Sequence, residues 1–154
     1  MVDHKDVIAI LNALIEASKD GEAGFRSSAE HVDDVRLKDF FLRRSKAVGE
    51  SVRELQALVT ALGGVPVDAT SIGGTLHRRW IDIKAALTAN DHLAVLNETE
   101  RGENVLLAAY REALEIDLPP EIRAVVLRHL QGIKRNHNLV KHVRDIYTVE
   151  TAFD

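Results

Sequence analysis

Apolar residues recur along this chain at steps of three and four, the spacing that places side chains on one face of an α-helix. Four segments show the pattern, roughly 4–31, 34–62, 91–116 and 120–148. No succession of segments has the apolar and polar alternation that is typical of strands. The pattern therefore predicts four long amphipathic helices and an all-α fold.

The connections between these segments predict how the helices are arranged. The links at 31–34 and 117–119 are short, so helices one and two, and likewise three and four, are expected to form antiparallel hairpins. The crossover between the hairpins, about 63–90, contains a further amphipathic helix with Ile72, Leu76, Trp80, Ile83 and Leu87 on one side. Two hairpins joined by one long crossover is the topology of ferritin-like bundles, and a single domain over 1–154 follows.

Several polar residues lie inside the apolar stripes. With 100° of rotation per residue, four of them fall near the middle of their stripes, namely Arg44, Ser51, His129 and Asn136. Glu103 lies about 30° off the middle of its stripe and Glu22 about 70° off, while Glu54 sits at a boundary. The outward face of the first helix is expected to carry Asn12, Glu16, Lys19 and Asp20.

The heights of these residues along the bundle follow from reflecting each helix onto its partner through the short loop. Glu22 is then level with Arg44, and Glu103 lies between His129 and Asn136. If helix three runs antiparallel to helix one, the five residues fall within roughly 12 Å of bundle height, at a rise of about 1.5 Å per residue. We therefore predict a buried polar cluster of Glu22, Arg44, Glu103, His129 and Asn136.

The sequence also resembles a known family over nearly its full length. The resemblance rests, in order, on LIEASKDGEAGFRSSAEH, FFLRRSKAVGESVRELQALVTALGG, GGTLHRRWIDIKAALT, ERGENVLLAAYREAL and LPPEIRAVVLRHLQGIKRNHN. These strings are similar to a bacterial ferritin-like family known as domain of unknown function 2383. The resemblance implies a ferritin-like four-helix bundle and implies no particular activity.

Metal binding is one interpretation of the cluster. Ferritin-like di-metal sites take a Glu from each of two helices and a Glu-x-x-His from each of the other two. This chain has no Glu-x-x-His, and its nearest forms end in Glu103 and in Arg53. A non-standard site for one divalent iron, manganese or zinc ion remains, because carboxylate and imidazole ligands suit these metals. Its predicted ligands are Glu22, Glu103 and His129, with Glu54 or His137.

A structural polar network is the other interpretation. Here Arg44 pairs with Glu22 or Glu103, and His129 bonds to Asn136 or to a carboxylate, so that each buried charge is compensated. The central arginine favours this interpretation, since two unit charges 4 Å apart interact by about 1 kcal/mol in water and several-fold more in the interior. A metal would bind only if Arg44 swung aside.

Composition narrows the partners. The chain has no cysteine, which excludes disulfides, thiolate metal sites and sulfur nucleophiles. Its 20 basic residues are scattered and outnumbered by 24 acidic ones, so nucleic acid is not an expected partner. The N-terminal segment fits neither a signal peptide nor a membrane span, which predicts a cytoplasmic protein without a membrane partner.

Two functions therefore stay open. The first is a non-catalytic bundle, stress-related or partner-binding, whose inward polar cluster specifies packing and which holds no cofactor. The second is a metal-handling protein or metal-dependent oxidase that uses the carboxylate and histidine set. Assembly into a homo-oligomer is compatible with either.

Overall fold

The computed structural model describes residues 2–68 and 92–152, and every regular element within them is an α-helix. The helices are α1 (His4–Glu30), α2 (Val35–Ala61), α3 (His92–Leu114) and α4 (Pro120–Ala152). All four predicted helices are confirmed, and the largest difference is that α4 continues past residue 148. The helix predicted in the crossover lies outside the described residues.

The ends of the helices follow from their local sequence. Asp3 caps α1 by accepting a hydrogen bond from the Asp6 amide at 2.9 Å. Gly63 ends α2 with a φ of 84°, a conformation that glycine adopts without steric cost. The Gly63 amide bonds to the Thr60 carbonyl and the Gly64 amide to the Val59 carbonyl, which is the hydrogen-bond pattern of a Schellman motif.

Side-chain contacts establish that α1 and α3 are antiparallel. Between α1 and α3, the Ser28 hydroxyl lies 3.1 Å from that of Thr99, and the Ser18 hydroxyl lies 3.3 Å from that of Tyr110. The late part of α1 thus meets the early part of α3, and the reverse. This is the relative direction of helices one and three on which the predicted cluster depended.

The core consists of two apolar clusters, one towards each end of the bundle. The first includes Leu11, Leu55, Leu106 and Val126, and the second includes Phe25, Phe41, Leu96 and Val140. Along α3 and α4, Glu103 and Asn136 fall between the apolar residues of one cluster and those of the other. The interior polar groups therefore lie where the two apolar clusters meet.

The four helices do not contact one another equally. Helices α1 and α2 form one hairpin and α3 and α4 the other, and the hairpins join mainly through α1 and α3. Helices α2 and α4 make the fewest contacts of the contacting pairs. The space between α2 and α4 is therefore the most open part of the described bundle.

The placement of Asp20 on an outward polar face is wrong. Asp20 is fully buried, and neither of its carboxylate oxygens has a hydrogen-bond partner within residues 2–68 and 92–152. Helix α1 packs against both α2 and α3, and its buried residues, which include Ala17, Ser18, Gly21 and Gly24, cover a wide arc. A single-stripe estimate assumes one contact face, so it misplaces residues on a helix that has two.

Asp34 joins the loop between α1 and α2 to the end of α4. Its Oδ1 accepts from the Arg36 amide at 2.8 Å and the Leu37 amide at 3.2 Å, and its Oδ2 accepts from the Tyr147 hydroxyl at 2.8 Å. These bonds lower the pKa of Asp34, and the bond from Tyr147 has the largest effect. Asp34 is thus both the N-cap of α2 and a link between the two hairpins.

Asp34→Ala is expected to lower the free energy of unfolding by about 1 to 2 kcal/mol, the usual cost of losing an N-cap. Urea denaturation followed by circular dichroism measures the loss. Asp39→Ala is the control, because Asp39 is exposed and forms only a surface ion pair with Arg43 at 2.9 Å. Equal losses in the two variants would show that the Asp34 cap adds no stability.

Candidate functional site

Glu103 is fully buried on α3 and is held by one neighbour. The Asn136 side-chain amide donates to its Oε1, whereas its Oε2 has no hydrogen-bond partner among the described residues. Burial raises the pKa of Glu103 to about 7, and the charge of Arg44 and the Asn136 hydrogen bond oppose that rise. Protonated and ionised forms of Glu103 are therefore both populated near neutral pH.

Arg44 of α2 is the cation whose charge lowers the pKa of Glu103. Its guanidinium carbon lies 5.7 Å from the centroid of the Phe25 ring, within the range of a cation–π contact. Its Nε is buried without a hydrogen-bond partner, and no ion pair joins Arg44 to a carboxylate of the described residues. Burial lowers the pKa of Arg44, and the charge of Glu103 raises it. Arg44 and Glu103 thus interact through their charges and do not form an ion pair. We call Arg44, Glu103 and Asn136 the glutamate layer.

A second polar group, the histidine layer, consists of Ser18, Glu54, Tyr110 and His129. His129 Nε2 lies 2.7 Å from Glu54 Oε1, and His129 Nδ1 lies 3.2 Å from the Tyr110 hydroxyl. The Tyr110 hydroxyl in turn contacts Ser18 Oγ at 3.3 Å, and Arg128 Nη2 bonds to Glu54 Oε2 at 2.5 Å. One chain of hydrogen bonds therefore connects all four helices.

The electrostatics of the histidine layer agree with one assignment of protons. Burial lowers the pKa of His129, and the bond to Glu54 opposes the change. The Arg128 hydrogen bond lowers the pKa of Glu54, and burial raises that of Tyr110 to about 12. A neutral His129 then donates from Nε2 to the Glu54 carboxylate and accepts at Nδ1 from Tyr110, which accepts from Ser18. Every contact in the chain is satisfied.

A cavity of about 280 Å³ adjoins both layers. It lies between α2 and α4, the pair of helices with the fewest contacts. Its described lining holds three arginines and no carboxylate: Ser18, Arg44, Ala47, Val48, Ser51, Leu106, Tyr110, Arg128, His129, Gly132, Ile133 and Arg135. The cavity is thus a partly open space between α2 and α4 whose described lining contains cationic side chains and no anionic one.

The remaining predicted ligands lie apart from the histidine layer. The carboxylate of Glu22 occupies the space beside Gly49 of α2, where a Cβ would collide with its Oε2. His137 Nε2 is 3.7 Å from Glu100 Oε1, and Arg144 also pairs with Glu100. Neither Glu22 nor His137 therefore contacts the pair formed by Glu54 and His129.

The arrangement does not gather a set of metal ligands. Within the described residues, no group of three or more histidines, aspartates and glutamates could hold a metal ion. Of the five predicted ligands, only Glu54 and His129 are in direct contact. Glu54 is further engaged by Arg128, and Glu103 is engaged by Asn136. As they stand here, these side chains do not fit a divalent cation.

The cluster predicted from the sequence omits two members of the site. Tyr110 is not among its five residues, yet its hydroxyl joins His129 to Ser18. Arg135 is also absent from it, although Arg135 lines the same cavity as Arg44. A usable signal was present in Ser18, a hydroxyl inside an apolar stripe that needs a buried partner.

Comparison with known proteins identifies a family and a fold. A family described as "Domain of unknown function (DUF2383)" matches residues 6–116. No curated protein matches the chain. No helix in the described ranges has the combination of length and apolar character that crossing a membrane requires.

Solved structures with a similar fold are distant in sequence. A two-domain protein from Anabaena variabilis with DJ-1/ThiJ/PfpI-like and ferritin-like domains is 13% identical, with a TM-score of 0.76 over 96% of this chain, which spans 38% of that protein. The bacterioferritin-related protein of Bacteroides fragilis, described as a dodecameric thioferritin, is 17% identical, with a TM-score of 0.76 over 99% of this chain and 92% of its own. The DPS protein of Vibrio cholerae O1 is 16% identical, with a TM-score of 0.70 over 90% and 89%. The fold is thus a ferritin-like four-helix bundle.

Proposed function

The chain belongs to the DUF2383 family and has a ferritin-like fold. From this premise we propose that it is a non-catalytic bundle that acts by binding a partner. In such a bundle, a buried polar cluster takes the place of the di-metal centre found in ferritin-like di-metal proteins. A stress-related or partner-binding role fits such a protein. The observation that carries the proposal is the guanidinium group of Arg44, which lies 5.7 Å from the centroid of the Phe25 ring and lines the same cavity as His129.

The engagement of the candidate ligands supports this proposal. The Glu54 carboxylate accepts a hydrogen bond from Arg128, and the Glu103 carboxylate accepts one from Asn136. Each of these bonds occupies an oxygen that a metal ion would need. A cation entering beside Arg44 would meet electrostatic repulsion, which is strong where water is scarce. The absence of any Glu-x-x-His in the sequence points in the same direction.

The histidine layer has a structural use that needs no metal. Its hydrogen bonds join residues from four helices, and a fully satisfied buried network specifies how the helices align, since a shifted helix would leave polar groups without partners. We assign this role to the histidine layer. Homo-oligomer formation is compatible with it, and the Bacteroides fragilis neighbour is described as dodecameric.

Metal binding is the second candidate function, and the contact between Glu54 and His129 favours it. A carboxylate and an imidazole 2.7 Å apart supply two of the ligand types that iron, manganese and zinc accept. The Vibrio cholerae neighbour is described as a member of a broad superfamily of ferritin-like diiron-carboxylate proteins. This function requires Arg44 and Arg128 to move aside. Its ligands would come from Glu22, Glu54, Glu103, His129 and His137.

Metal retention separates the two functions. The purified chain is loaded with Fe(II) in air, or with Mn(II) or Zn(II), then desalted and examined by elemental analysis. We expect less than one metal ion per ten chains, with Glu103→Ala, His129→Ala and the control Glu50→Ala indistinguishable from the parent. Glu50 is the control because it is an exposed carboxylate on α2.

One or more metal ions per chain, lost in Glu103→Ala or His129→Ala and kept in Glu50→Ala, would establish the metal-binding function. Stoichiometric metal that survives all three substitutions would contradict both the proposed function and the predicted ligand set.

A further inference from the structure

Two of the three arginines that line the cavity lack an anionic partner among residues 2–68 and 92–152. Arg128 is paired with Glu54, but neither Arg44 nor Arg135 forms an ion pair with a carboxylate of the described residues. Both residues line the same cavity, and the charge of Arg135 lowers the pKa of Arg44. The cavity lining therefore contains two like charges that no carboxylate in the described part of the chain neutralises.

The environment of Arg44 makes that arrangement costly. Its Nε is shielded from solvent and has no hydrogen-bond partner, and a buried charged donor without an acceptor loses its hydration uncompensated. Glu103 compensates only in part, because burial raises the pKa of Glu103 to about 7. An anion between Arg44 and Arg135 would replace their repulsion by two attractions.

The cavity also offers a neutral donor and sufficient room. The Ser51 hydroxyl lines the same space as Arg44 and Arg135. A volume of about 280 Å³ exceeds several-fold the share of liquid volume that one water takes, about 30 Å³. A four-oxygen anion fits there with accompanying water.

The chemistry of the lining selects the class of ligand. A guanidinium group presents its donors as a planar fork that matches two oxygens of a phosphate or a carboxylate. Apolar side chains of Val48, Leu106 and Ile133 complete the lining and limit the water that would screen the charges. We propose that this cavity binds a small oxyanion, with inorganic phosphate as its simplest representative, between the guanidinium groups of Arg44 and Arg135.

This site is additional to the proposed function and does not depend on it, because anion binding and metal retention are measured separately. Titration calorimetry with inorganic phosphate, at an ionic strength held constant with chloride, tests it on the full chain. We expect saturable binding of one phosphate per chain. Arg44→Gln should weaken it at least tenfold and Arg135→Ala at least threefold.

Lys141→Ala is the matched control, since Lys141 is an exposed cation of α4 outside the described cavity lining. It should bind phosphate as the parent does. Arg135 is exposed, so Arg135→Ala keeps the test decisive even if Arg44→Gln fails to fold.

The absence of saturable binding by phosphate, sulfate or acetate would overturn the proposal. Equal weakening by Arg135→Ala and Lys141→Ala would also overturn it, because that result indicates a diffuse charge effect rather than a site.

Discussion

Tyr110→Ala is expected to lower the free energy of unfolding by about 3 to 5 kcal/mol, the range found when a large buried aromatic is truncated. Tyr110 is 1% exposed and is the largest of the fully buried side chains in the described chain. Its ring borders the 280 Å³ cavity, so the space left by truncation would join an existing void rather than close by collapse. Its hydroxyl also links α3 to His129 and to Ser18.

Tyr110→Phe separates packing from hydrogen bonding. This variant keeps the ring but leaves His129 Nδ1 and the Ser18 hydroxyl without their shared partner, which should cost about 1 to 3 kcal/mol. Both losses are measured by urea denaturation under the same conditions. If the alanine variant were no less stable than the phenylalanine variant, the ring would contribute nothing to the core.

The second large effect is a loss of stability between acidic and neutral pH that depends on Glu103. The pKa of Glu103 is about 7 in the folded chain, whereas the ordinary value, taken for the unfolded chain, is 4.5. Between these pH values the folded state binds a proton that the unfolded state has lost. The stability that this proton binding gives the folded state is fully present below about pH 4.5 and is lost as the pH rises through about 7. The difference between the two pKa values corresponds to about 3 kcal/mol.

The groups that act on Glu103 set the sign of this effect. Desolvation is the dominant cause, and Arg44 of α2 and Asn136 of α4 oppose it without reversing it. Glu103→Gln cannot ionise at that position. We therefore expect the variant to gain about 2.5 kcal/mol relative to the parent between pH 5 and pH 8.

Urea denaturation of the parent and Glu103→Gln at several pH values measures this gain. Contributions from Glu54 and His129, whose pKa values are also shifted, are present in both proteins and cancel in the difference. Stability curves that stayed parallel from pH 5 to pH 8 would show that Glu103 is ionised throughout that range in the folded chain.

The fold could be predicted because the information for it is local and repeated. Apolar residues at helical spacing define the four helices, and two short links leave only antiparallel hairpins. Reflection through those links also placed residues at the right heights. Ser45, adjacent to Arg44, donates to the Glu22 carbonyl at 2.9 Å, and Asn136 bonds to Glu103.

The partners of the polar side chains could not be obtained in the same way. A position on a stripe gives the direction in which a side chain leaves its helix, but a long side chain has several rotamers and reaches different neighbours in each. Glu22 extends towards Gly49 rather than Arg44, and Glu54, at a stripe boundary, turns to His129. Direct pairing therefore depends on packing that periodicity does not encode.

The sparse contact between α2 and α4 has a consequence for how this chain can diversify. Ala47 and Gly132 line the cavity there, and a Cβ added at Gly132 would meet only the Arg135 guanidinium, at 3.7 Å. A Cβ at Gly132 would make only an ordinary van der Waals contact among the described residues, and neither Gly132 nor Ala47 belongs to an apolar cluster. The ligand preference of the cavity between α2 and α4 can thus evolve, or be engineered, by one or two substitutions in its lining.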